Sequence, residues 1–97
     1  MIESFNKLTP AEEERLAILA EECAEVIQVI GKILRHGYES DNHGKLPQTN
    51  RQHLEEEIGN VRHIVDRMVN EGDLTYWQIE ASRLHKAATI GKYLHHQ

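Results

Sequence analysis

The chain has 97 residues, enough for one domain at most, and a chain this short gains from association with further chains. Hydrophobic residues make up 39% and charged residues 28%, and two prolines, six glycines and few aromatics favour helix over sheet. A net charge of −5 argues against non-specific binding to nucleic-acid polymers, and no apolar run nears the ~20 residues of a membrane span.

Residues 1–8 read as a lead-in, without the pattern of a signal peptide. Thr9-Pro10-Ala11-Glu12 predicts a helix start: Thr9 as N-cap, Pro10 in the first turn, Glu12 closing a capping box. Apolar residues recur at Leu16, Leu19, Cys23, Val26, Ile30 and Ile33, the expected core row of the first helix. Arg35 and His36 suit its last turn and Gly37 its stop. Cys23 is the single cysteine. Its place in that row predicts a buried free thiol and a reducing, cytoplasmic setting. Its acidic neighbours disfavour a thiolate nucleophile.

Residues 37–49 lack any period and are rich in turn formers, which predicts a mobile loop. A second helix is predicted from about Asn50 to Glu71, capped by Thr49 or Asn50, with a core row of Leu54, Ile58, Val61, Val65 and Met68. Gly72-Asp73 closes it. A third helix is predicted from Asp73 or Thr75 towards the C-terminus, with Trp77, Ala81, Leu84, Ala88 and Gly91 in one row. The expected architecture is all-α: one domain over 1–97, a bundle of three main helices. The apolar arc of the first helix, from Ile18 and Val29 round to Ile27 and Leu34, covers roughly 200°. That is too wide for one neighbour and implies a second copy of the chain, as a homodimer or homotetramer.

Two acidic clusters border the apolar faces: Glu21-Glu22-Cys23-Ala24-Glu25 and Glu55-Glu56-Glu57-Ile58-Gly59-Asn60. At ~100° per residue, Glu22 and Glu25 lie about 60° apart, with Ile18 and Val29 between them, one turn away on either side. On the second helix Glu57 and Asn60 have the same relation, with His53 and Ile64 beside them. Packing the two core rows together is expected to bring Glu22, Glu25, Glu57 and Asn60 into one oxygen-rich site. Oxygen donors of this kind suit Mg²⁺ with phosphate oxygens and water completing the shell.

At Glu21-Glu22-x-x-Glu25 followed by Glu57-x-x-Asn60, the chain resembles the MazG-like, all-α nucleoside triphosphate pyrophosphohydrolases. That family carries EExxE on one helix and ExxD on the next. The flanking Leu19-Ala20 and Val26-Ile27, and Leu54 with Ile58-Gly59 and Val61, fit as well. So does the stretch from Ile79 to Leu94 with Lys86 and Lys92. The resemblance spans roughly residues 9–94. It implies Mg²⁺-dependent hydrolysis (Mn²⁺ as substitute) of a (d)NTP to the monophosphate and pyrophosphate, by attack of water on the α-phosphorus. It further implies Glu22, Glu25 and Glu57 as metal ligands, with Glu21 a ligand or the base that orients the water. It also implies a helical bundle completed by dimer or tetramer formation.

The chain departs from the family pattern twice. Asn60 stands where the final aspartate is usual; its amide oxygen can bind Mg²⁺ but carries no charge, and Glu56, about 40° round the helix, can supply a carboxylate. Residues 26–56, 31 in all, separate the two motifs, and the excess fits a lid at 37–49. Lys32 and Lys86 are the candidate phosphate contacts. Tyr38 and Trp77 are candidate walls for a base, with Trp77 also a core candidate. His53, one turn before Glu57, is a candidate contact to substrate or to a metal-ligating side chain. The seven histidines form neither HExxH nor ExxH, which argues against zinc or di-iron chemistry. A competing reading is a catalytically silent nucleotide-binding or dimerisation module, for which Asn60 is the motive. A third is a helical interaction protein whose glutamates serve solubility.

Overall fold

In the computed structural model, which describes residues 5–97, every regular element is helical: α1 over Pro10–His36, α2 over Asn50–Asn70, α3 over Tyr76–Thr89, and a closing 3-10 turn over Ile90–Tyr93. Residues 1–4 of the expected lead-in lie outside the described residues.

Helix α1 starts where its capping chemistry places it. Thr9 Oγ1 accepts from the Glu12 amide (3.1 Å), and Glu12 Oε1 accepts from the Thr9 amide (2.9 Å). It then runs unbroken to Gly37, whose φ of 90° stops it and whose amide donates to the Ile33 carbonyl. Helix α2 opens with a second capping box, Thr49 with Gln52. Thr89 ends α3 four residues short of the run to Tyr93, with its hydroxyl donating back to the His85 carbonyl (3.0 Å).

α1 and α2 form an antiparallel hairpin pinned at both ends. At one end Arg15 of α1 holds Asp73, just past α2, in a two-pronged ion pair at 2.6 and 2.9 Å. At the other, Asn50 is buried and its Nδ2 donates to the Gly37 carbonyl (3.2 Å). Residues 37–49 between them are not slack. Tyr38 and Ser40 carbonyls accept from the first two amides of α2, the Leu46 amide donates to the Asp41 carbonyl, and Asp41 Oδ1 accepts from Gly44. The expected loop is a hydrogen-bonded run of turns, in which Asx-type contacts satisfy part of the backbone locally.

The hairpin closes only in part through the expected core rows: Met68 is buried as expected, and Leu19, Val26, Ile33, Leu54, Val61 and Val65 are half-buried. Its buried apolar residues are Val29, Ile64 and Met68, and the seam runs through the strip that carries Glu22, Glu25 and Glu57. Leu16, Ile30 and Ile58 are exposed, and so is Cys23, which corrects the expected buried thiol. Two helices in contact each bury a stripe about 100° wide, so only half of a roughly 200° arc finds a partner within the chain. The other half, Cys23, Val26 and Ile27 with Ile58 and Val61, lines an open apolar groove of about 310 Å³.

α3 has no interface with either helix comparable to that between α1 and α2. Trp77, expected in its core row, is 74% exposed, and Leu84 is exposed too. Within one chain the molecule is therefore a two-helix hairpin with a projecting third helix. Its radius of gyration is 17.4 Å, against about 13 Å for a compact domain of this length.

Candidate metal centre

Midway along the seam, Glu22 and Glu25 of α1 meet Glu57 of α2. One oxygen from each lies within 4.8 Å of the other two. Glu57 is only 6% exposed, and Glu22 Oε2 is buried without a hydrogen-bond partner. Glu57 also belongs to a second group on the solvent side, with His53 and Glu56, at the same mutual reach. His53 Nε2 lies 3.4 Å from Glu57 Oε1. Glu57 is thus shared by two sets of oxygen and nitrogen donors, each able to hold a metal ion.

The electrostatics follow from crowding. A hydrogen bond with Glu57 is the main reason Glu25 is pushed up to about 7; the charge of Glu57, burial, Glu22 and Glu21 add to it. Glu57 is lowered, first by that same bond, against the opposing effect of its own burial, with Asn60, His53 and Glu22 assisting. Raised Glu25 and lowered Glu57 together titrate one proton that is lost as pH rises through about 7.

A proton held this way has two consequences of opposite sign. Glu25 is raised above its ordinary value, so its contribution to stability is fully present below that value and is lost as pH rises through about 7. A dication must displace the same proton, so its affinity should rise with pH and level off above 7. Below 7 the limit is roughly tenfold per pH unit, one proton released per ion bound. Calorimetric titration with Mn²⁺ at several pH values checks this. A flat profile between pH 5.5 and 8 would show that the shared proton does not compete with the cation.

The sequence-predicted residues divide. Glu22, Glu25 and Glu57 come together, and Glu56 and His53 join through Glu57. Asn60 sits at the edge: its Nδ2 donates to Glu57 Oε2 at 3.5 Å, and turning the amide over would present its oxygen instead. Glu56 accepts from Gln48 (3.0 Å). Glu21 is exposed beside Glu25. Lys32 lines a different cavity, towards the 37–49 turns. Tyr38 lies under the Arg51 guanidinium, 4.3 Å from its ring centre. Lys86 and Trp77 are on α3, where Trp77 meets Tyr76 edge to face at 5.3 Å. A single chain does not bring α3 to the carboxylates. Sequence reasoning missed the burial of Asn50, because a polar residue at a helix start ordinarily stays in water. No family model, no curated protein and no solved structure matches the chain.

Proposed function

We propose that the chain is a Mg²⁺-dependent nucleoside triphosphate pyrophosphohydrolase, similar to the MazG-like enzymes, that works as a homo-oligomer. The observation that supports it best is the convergence of Glu22, Glu25 and Glu57 from two helices on one point of a buried seam, with Glu22 Oε2 left without a partner. Crowded carboxylates repel unless a proton or a cation joins them, and above about pH 7, where the proton of Glu25 is lost, a cation is the natural partner. A set made of carboxylate oxygens favours a hard ion, Mg²⁺ or Mn²⁺, over zinc. Bound there, the ion would neutralise phosphate charge and lower the pKa of water. Glu22, Glu25 and Glu57 would hold it, and Asn60 or Glu56 would complete the protein's share.

In the reaction, water adds to the α-phosphorus, the bond to the α–β bridging oxygen breaks, and pyrophosphate leaves. Glu21, exposed beside Glu25, is placed on the solvent side, where it can accept the proton from water. The exposed apolar groove and the unpacked α3 support assembly, in which α3 of another copy would bring Lys86 and Trp77 towards the site. One observation favours a silent module instead: Asn60 donates to Glu57, where an aspartate would offer a second carboxylate.

Pyrophosphate release from a panel of dNTPs and NTPs separates the two readings, with Mg²⁺ or Mn²⁺ present and EDTA as control. Release that EDTA abolishes is the expected result. Cation binding without release from any triphosphate would establish the silent module.

A further inference from the structure

A cavity of about 380 Å³ lies at the loop end of the hairpin, away from the carboxylate cluster. Lys32, Arg35 and His36 from the last turns of α1 line it, with Ser40 and His43 from the turns and buried Asn50 from α2. No carboxylate lines it. None of the four cationic or cationisable side chains there has an ion-pair partner among the described residues. The nearby acids are engaged elsewhere: Glu39 with Arg51, and Asp41 with the Gly44 amide.

The ion pairs of the described residues engage Arg15, Arg51, Arg67 and Arg83, none of which lines this cavity. Helix α2 does not supply the site with its amides. Those of Asn50, Arg51, Gln52 and His53 already donate to Ser40, Tyr38 and Thr49. Side chains from three segments build it, and each presents donors and no acceptor charge. Lysine, arginine and histidine converging on one cavity match several anionic oxygens. The volume lies near the small end of ligand pockets, which suits a phosphate chain better than a whole nucleotide.

We propose that this cavity is a binding site for a diphosphate or triphosphate group, formed without metal. Lys32 follows Glu25 by seven residues and Asn50 precedes Glu57 by seven, which sets the cavity about 10 Å along the hairpin from the carboxylates. The anion class rests on the cavity alone. Its assignment to the diphosphate end of the substrate rests on the proposed function.

The test is calorimetric titration of the full chain with inorganic pyrophosphate in EDTA at low salt. Arg35→Gln combined with His43→Asn is the diagnostic variant. Both side chains are exposed, and asparagine tolerates the φ of 58° at position 43. The wild type should bind one pyrophosphate per chain. The double variant should bind roughly tenfold more weakly or worse. No binding by the wild type, or equal binding by the folded double variant, overturns the inference. Triphosphate hydrolysis without pyrophosphate binding in EDTA would sink this site and leave the proposed function standing. Binding without any hydrolysis would do the reverse.

Discussion

Glu57→Gln should abolish cation binding and cation-dependent turnover while leaving the hairpin folded. Glu57 is the one residue common to both donor groups, so its loss empties both. In the wild type, a cation at a hundred times its dissociation constant should stabilise the fold by about 2.7 kcal/mol. For a chain of this size that is roughly 10–20 °C in melting temperature. The variant should show none of this shift. Its metal-free form should melt no lower than the wild type's, because a neutral amide beside Glu22 and Glu25 removes like-charge repulsion and still fits the same space. Thermal melts of both proteins, with and without Mn²⁺, decide the matter. A Glu57→Gln protein that keeps the cation-induced shift would place the metal elsewhere. One that melts far below the wild type would mean Glu57 serves structure.

The second large effect lies at the apolar groove between α1 and α2. Ile27 is 70% exposed in the single chain and lines the apolar groove with Cys23, Val26, Ile58 and Val61. In an isolated monomer Ile27→Asp would change little, since exposed substitutions usually move stability by less than about 0.5 kcal/mol. At an interface between copies it would bury an unpaired charge. A few kcal/mol lost there corresponds to roughly a hundredfold or more in association. The expected result is a wild-type oligomer that Ile27→Asp converts to monomers, with turnover and melting temperature falling together. Multi-angle light scattering reads the first of these directly. Wild-type protein that is monomeric at micromolar concentration, yet cooperatively folded, would refute the assembly.

The core of a single chain is small. Among the described residues Val29, Ile64 and Met68 are the buried apolar ones, and α3 projects with Trp77 and Leu84 in solvent. So small a core burdens the ends of the hairpin. There the Arg15–Asp73 pair and the Asn50–Gly37 contact fix the register that aligns Glu22 and Glu25 with Glu57.

The sequence by itself determined the helices. Local chemistry sets their limits: Thr9 with Glu12, Thr49 with its glutamine three residues on, and glycines at 37 and 72 that adopt positive φ where α1 and α2 end. It also determined that Glu22, Glu25 and Glu57 share the seam, because helical spacing places each next to apolar neighbours. Which half of the wide arc on α1 meets α2 was decided only by the tertiary structure. Both halves are apolar, so spacing alone favours neither. The folded hairpin packs the strip with the carboxylates and leaves Cys23 and Ile58 outside, and contacts between residues 58 and 13 positions apart close its two ends. The cationic cavity was equally hidden. Lys32, Arg35, His43 and Asn50 share no periodicity, and only the folded turns of 37–49 bring them to one place.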